Sequence, residues 1–261
     1  MLAVMVYSES GGATKTTTAV ALAMIAAQRG VRTTLVDLDP RAAATRWIGA
    51  EPSTPGMHVG AILADPEPTG WLDELAVPTN WHQNLTVVPS DRPVSNREAD
   101  RADHADLRLT MAMQGTAADL VVIDCPNRQG GLLTMSALAA SDRVVYAATP
   151  TQDGFDGVEG ARRSVHAWQR SREVMGAPIT LTEAGIVVGG VESTIMSRAT
   201  VASIDALRQT GLLLTPLVPK RAIVGECRIS GEWFGHYGKG APVLAAYEDL
   251  YDQICTPKED A

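Results

Sequence analysis

The feature that most constrains this chain is a set of short, unbroken apolar runs, three of which stop on a glycine turn or an acid. Leu2–Tyr7 runs into Ser8-Glu9-Ser10-Gly11-Gly12, Arg32–Asp37 into Leu38-Asp39-Pro40, and Asp119–Asp124 into Cys125-Pro126. Strands without polar alternation are covered on both faces, and parallel strands need helical crossovers. Helical patterning is predicted over Lys15–Arg29 (stopped by Gly30), Arg41–Ile48, Glu98–Met113, Val158–Met175, Thr200–Gln209 and Val243–Ile254. Asn84–Pro89, Arg143–Ala148, Ala184–Val191 and Leu212–Val218 read as further strands. The result is an α/β fold whose mostly parallel, twisted central sheet is covered by helices on both faces. No repeat or long linker divides it, so residues 1–255 are expected to form one domain. Residues 256–261 read as a frayed polar tail, and the proline-rich stretch Glu51–Pro68 as a surface excursion.

Composition narrows the function classes. With 45% hydrophobic and 20% charged residues, the chain is neither disordered nor fibrous. Its longest apolar runs are of strand length, well short of the roughly 18 residues of a membrane span. The apolar start lacks basic residues and reads as a first strand, not a signal peptide. Three cysteines without CxxC spacing suit a reduced, cytoplasmic setting. The five histidines show no zinc-enzyme spacing, and Ser136 and Ser230 lack a G-x-S-x-G elbow. Asp100, Asp103, His104 and Asp106 read as a solvated helix face rather than a metal site. The net charge of −8 argues against nucleic-acid binding through the overall field. Between Ala161 and Arg228, however, nine basic residues face five acids, a local excess of +4.

The strongest motif is Glu9–Thr17, Glu-Ser-Gly-Gly-Ala-Thr-Lys-Thr-Thr, between the first strand and an alanine-rich helix. Amides at a helix start carry partial positive charge, and glycines let the backbone curl around an anion. Gly11, Gly12, Ala13 and Thr14 would form that cradle. Lys15 would reach the β- and γ-phosphates, and the Thr16 hydroxyl would hold Mg²⁺. The strict GxxxxGK[ST] spacing is not met, because Glu9 and Thr14 occupy both glycine positions. Asp37, Asp39 and Asp124 converge on the same strand ends, where ligands bind in open α/β sheets. Taken singly each is a turn or cap residue; together they suit Mg²⁺ and an attacking water.

These residues, with Val218-Pro219-Lys220-Arg221, resemble the ParA/MinD group of deviant Walker A ATPases, and within it the short ParA-type partition proteins. The match spans almost the whole chain and makes it a single P-loop domain. The resemblance implies an ATP-bound homodimer on non-specific DNA, released when a centromere-binding ParB-like partner stimulates slow ATP hydrolysis, in the nucleoid-associated cytoplasm. It implies phosphate binding by Lys15, Mg²⁺ at Thr16, and the α-phosphate at Thr17. Asp39 would position water, Asp37 would lie near Mg²⁺, Asp124 would be the Walker B acid, and Pro219 would border adenine. Lys15 and Asp39 are the expected catalytic residues. Arg198, Arg208, Lys220, Arg221 and Arg228 are the DNA-contact candidates, set against a plain solvated face. The acidic last helix is unlike the basic tail that anchors MinD-like relatives to membranes.

The departures are specific. Ser10 replaces the family's signature lysine, a loss of about 1.5–3 kcal/mol for one charge-assisted phosphate contact. In dimerisation that corresponds to about ten- to a hundredfold. Thr14 replaces a loop glycine, and a β-branched residue there keeps φ below zero unless the loop is strained. Arg41, Asn127 and Gly189-Gly190 also depart from the common residues. The alternatives are a nucleotide-binding scaffold or a protein-positioning ATPase with little hydrolysis and, most distantly, an ATP-dependent small-molecule synthase.

Overall fold

The computed structural model describes residues 1–52, 54–192 and 196–256. In chain order the first elements are β1 (Leu2–Tyr7), α1 (Lys15–Gln28), β2 (Thr33–Asp37), α2 (Ala43–Ile48), α3 (Val59–Ile62), α4 (Trp71–Leu75), β3 (Val77–Pro78) and β4 (Leu85–Val88). Two 3-10 segments, Arg92–Ala99 and Ala105–Leu107, lead into α5 (Arg108–Ala112), β5 (Leu120–Asp124), α6 (Gly131–Ala140), β6 (Arg143–Ala148) and α7 (Gln152–Val174). β7 (Thr182–Val188), α8 (Arg198–Gln209), α9 (Ala222–Ser230) and α10 (Ala241–Cys255) follow.

The strands form one sheet in the order β3-β4-β2-β5-β1-β6-β7. Every pair is parallel except β3 with β4. The uninterrupted apolar runs have the predicted consequence. Val4 and Val6 of β1 face a layer built from α1, α2, α9 and α10, while Ala3, Met5 and Tyr7 face the layer of α3 to α8. Residues of opposite pleat therefore enter separate cores, and both cores need apolar side chains.

α1 is buried almost all round rather than on one face. Its alanines let it lie close to the sheet on one side and to α10 on the other, where the Thr18 and Tyr247 hydroxyls meet at 3.1 Å. The register sets the site: Val6 pairs with Asp124, and Asp124 with Asp37. The carboxyl ends of three central strands thus open onto one edge, beneath the loop that joins β1 to α1.

Two predicted elements are corrected. The helix expected over Glu98–Met113 is broken into the 3-10 segments and the short α5. Asp100 accepts from the Ala102 amide at 2.9 Å and from Arg108 at 2.8 Å, and His104 is left-handed with φ 58°. Local side-chain bonding of this kind competes with the helical ladder. The strand expected over Leu212–Val218 is not one, because only isolated bridges join Ile186 to Leu213 and Val191 to Pro219. Pro216 and Pro219 lack ladder donors. α6 and α9 have no counterpart in the sequence reading, and α7 begins six residues earlier than expected. Apart from Thr256, the tail expected at 256–261 lies outside the described residues.

Candidate nucleotide site

The loop between β1 and α1 is held from below by α7. The Glu9 amide donates to the Gly157 carbonyl at 3.2 Å, and Ser164 donates to Glu9 Oε1 at 2.9 Å. Tyr7 Oη lies 3.2 Å from the same oxygen and 3.0 Å from the Arg128 carbonyl. Gly157 and Gly160 make the approach possible. A Cβ on Gly157 would stand 2.5 Å from Ser10 Cβ, and one on Gly160 would stand 2.1 Å from Glu9 Oε2. Ser10 therefore packs down onto α7, and its hydroxyl donates to the Gly11 carbonyl at 3.3 Å.

At the other end of the loop, Gly12 and Thr14 are left-handed, with φ 73° and 63°. Thr14 accepts the strained conformation that its branching disfavours, at a cost of about 1–2 kcal/mol. Its side chain fills the space above Gly189, where a Cβ would stand 2.8 Å from Thr14 Oγ1. Thr14 and Gly189 are thus complementary departures: the bulk added to the loop is removed from the strand end opposite. Thr14 Oγ1 is buried without a hydrogen-bond partner. α1 has no side-chain cap and no acid in its first turn, so its leading amides remain available to an anion.

Lys15 is 8% exposed, and its Nζ donates to the Ser10 carbonyl at 3.0 Å. Burial lowers its pKa, while Asp124 and Asp39 pull the other way. Asp124 is fully enclosed, and neither carboxylate oxygen makes a hydrogen bond of good geometry, although the Thr16 hydroxyl lies close enough to favour its charged form. Burial first and Asp37 second push its carboxyl well above the usual range, against the influence of Thr16 and Lys15. A buried carboxylate in this condition is a group short of a counter-charge. Asp39 is half-buried and lines the cavity, its Oδ1 accepting from the Arg41 amide at 2.8 Å.

Asp37 is placed differently. Its Oδ1 accepts from the Asp39 amide at 3.2 Å, and its Oδ2 from the Thr45 amide at 2.9 Å and hydroxyl at 2.8 Å. It does not line the cavity. Both oxygens are engaged in fixing the chain that carries Asp39 into α2, so Asp37 shapes the site rather than facing it.

The cleft has two halves. One, about 200 Å³, is lined by Gly12–Thr17, Asp39, Arg41, Asn127 and Arg228. Gly11 stands just outside this lining, beside Asn127. The other, about 390 Å³ and mostly apolar, is lined by Gly189, Gly190, Val218, Pro219, Val224, Val243 and Tyr247, with Lys220 and Arg221 at its rim. Thr14 and Thr17 belong to both. A polar end lined by free helix amides and an apolar end of this size match a phosphate chain carrying a flat base. Among the described residues no group of three or more His, Cys, Asp or Glu is gathered for a metal. The donors present, the Thr16 hydroxyl and the Asp124 carboxylate near it, suit an ion that keeps waters and arrives with phosphate, which is the habit of Mg²⁺.

Sequence reasoning brought Gly12, Ala13, Thr14, Lys15, Thr16, Thr17, Asp39 and Pro219 to this cleft. It missed Tyr247, Val243 and Val224, which carry no motif; Arg228, one of the DNA-contact candidates, is exposed and lines the phosphate half. Of the other basic candidates, Lys220 pairs with Glu192 at 2.8 Å and Arg208 with Asp205. Arg198 is exposed at the start of α8, and Arg221 Nη1 donates to the Lys220 carbonyl at 2.9 Å. Among the described residues, no helix is long and apolar enough to cross a membrane.

Comparison with known proteins agrees with this geometry. The AAA domain family matches residues 1–174. The chromosome partitioning protein ParA of Myxococcus xanthus is 34% identical over 167 residues, which are 62% of this chain and 56% of that one. This chain thus spans little more than half of that relative's length. The sporulation initiation inhibitor protein Soj of Bacillus subtilis is 28% identical over 231 residues, covering 87% of this chain and 85% of its own. The ATP complex of Cyanothece McdA superposes with a TM-score of 0.82 at 19% identity, over 100% of this chain and 99% of that one, a likeness of fold. The family match over the loop and strand ends that build the phosphate half, together with these partition relatives, places the chain in the ParA/Soj family of P-loop ATPases.

Proposed function

We propose that this protein is an ATP-dependent DNA-partition ATPase: its ATP-bound homodimer holds non-specific DNA in the nucleoid-associated cytoplasm, and a ParB-like partner triggers release by stimulating slow hydrolysis. The observation that carries the reading is Asp124, a buried carboxylate without a well-formed hydrogen bond, beside the buried Lys15 at the foot of a phosphate loop. Such a pair is built for a ligand that brings both negative phosphate and a cation.

In this reading the α1 amides and Gly11–Thr14 cradle the phosphates, Lys15 leaves the Ser10 carbonyl to bind them, and Thr17 holds the phosphate nearest the sugar. Mg²⁺, bound through Thr16 with Asp124 behind it, would neutralise phosphate charge. Asp39, half-exposed and steadied by the Arg41 amide, orients water towards the phosphate. Asp37 fixes the turn that carries Asp39. Pro219 and its apolar neighbours take the adenine. DNA would meet the exposed Arg198, Arg208 and Lys220 and the half-buried Arg221, whose cations read charge without sequence.

A second reading is favoured by Ser10. It is tied to α7 and to the Gly11 carbonyl, and offers no cation to a second subunit. A scaffold or protein-positioning ATPase would bind ATP, turn over little and ignore DNA. The deciding experiment is retention of a random-sequence duplex with ATP, with ADP and without nucleotide, at two salt concentrations. Partition function predicts binding with ATP only, weakening steeply as salt rises. Indifference to DNA with ATP affinity intact would reject it in favour of the second reading.

A further inference from the structure

We propose that Arg41 and Arg228 are phosphate-binding cations of this chain's own nucleotide site, supplying in the same subunit the charge that Ser10 lacks. The inference rests on the nucleotide reading above. Both side chains line the phosphate half of the cleft together with Lys15, Thr16 and Asp39. Neither guanidinium makes a hydrogen bond or ion pair among the described residues, although Asp39 lines the same cavity. Lys15 is the only other cation in that lining, and Asp39 stands among them. Two arginines there raise the positive charge offered to a polyphosphate beyond what Lys15 supplies.

The fold holds the two arginines in place. Arg41 lies just ahead of α2, and Arg228 in the last turn of α9. These helices are clamped by an aromatic cluster. Trp47 Nε1 donates to the Glu232 carbonyl at 3.0 Å and Trp81 Nε1 to the Gly231 carbonyl at 3.1 Å. The rings of Trp47 and Phe234 lie 6.4 Å apart, and those of Trp81 and Trp233 5.9 Å. With the end of α9 fixed to α2, the exposed Arg228 projects from a fixed backbone at the mouth of the cleft. Arg41 also opposes Lys15 electrostatically, a repulsion that bound phosphate would turn into shared attraction.

The test uses the same tryptophan cluster as a reporter. ATP and ADP are titrated into the full chain by intrinsic fluorescence, for wild type, Lys15→Ala, Arg41→Ala, Arg228→Ala, the double arginine variant and Arg228→Lys. Circular dichroism confirms that each is folded. Each single arginine-to-alanine change is expected to weaken ATP binding about tenfold, and the pair about a hundredfold. ADP should lose less, and Arg228→Lys should keep most of the affinity. Unchanged ATP affinity in Arg41→Ala and Arg228→Ala, beside a large loss in Lys15→Ala, would overturn this inference and leave the nucleotide reading standing. Loss of duplex binding at saturating ATP by Arg228→Ala, with ATP affinity intact, would overturn it in favour of a DNA contact. No ATP binding by wild type would remove both.

Discussion

The two halves of the cleft are built by different means. The phosphate half stands on β1, β2 and β5, whose register alone brings Asp37, Asp124 and the loop together. The apolar half is assembled from the end of β7, an irregular stretch around Pro219, α9 and the inner face of α10. Recognition of phosphate needs amides and charges at fixed offsets from a strand end, so it leaves a pattern in the chain. Recognition of a flat base needs only apolar surface of suitable shape, which many residues supply from distant positions. The halves meet at Thr14 and Thr17.

The largest break in this comparison is expected from Lys15→Ala. Removing the buried cation should weaken ATP binding by about a hundredfold or more, measured by equilibrium dialysis. Affinity within threefold of wild type would mean that the loop does not hold phosphate. Asp39→Ala separates binding from chemistry within the same half. ATP affinity should persist while turnover, followed by phosphate release, falls by about a hundredfold; wild-type turnover would remove the water-orienting role.

The seam is sharpened by Gly189→Ala, whose Cβ would press on Thr14. Overpacking there should cost about 1–3 kcal/mol in denaturant unfolding. In a Thr14→Gly background the same change should cost nearly nothing, since the obstructing side chain is gone and the left-handed φ is no longer strained. Additive effects would show that the two positions do not depend on one another. The smallest effect is expected in the apolar half. Tyr247→Phe, which deletes the hydroxyl meeting Thr18, should cost about 1 kcal/mol of stability and leave ATP affinity close to wild type. A large loss of ATP affinity would make that hydroxyl a ligand contact.

How much was legible in the sequence follows the same division. The unalternating runs predicted the parallel sheet, and the acids that end two of them, with the glycine turn that ends β1, located the cleft. Asp37 shows the limit of that reading. Its place at a strand end suggests a site residue, and only the Thr45 amide and hydroxyl, eight residues on, show it to be spent on the turn. Arg228 shows a second limit, since nothing in a basic residue on a helix says that it borders the phosphate half until the fold brings α9 beside α2. Thr14 and Gly189 each read as isolated departures, because a compensation between residues 175 positions apart exists only in three dimensions. The helix lost between Glu98 and Met113 fell to Asp100, whose side chain found local donors that periodicity does not register.

The central claim is that the two halves form one nucleotide site, and competition calorimetry with Mg²⁺ tests it most directly. ATP, inorganic tripolyphosphate and adenosine are each titrated into the full chain, alone and against one another. The account predicts one ATP per chain, bound more tightly than either fragment and displacing both. Tripolyphosphate and adenosine that remain bound in the presence of saturating ATP, or ATP that binds no better than tripolyphosphate, would contradict it.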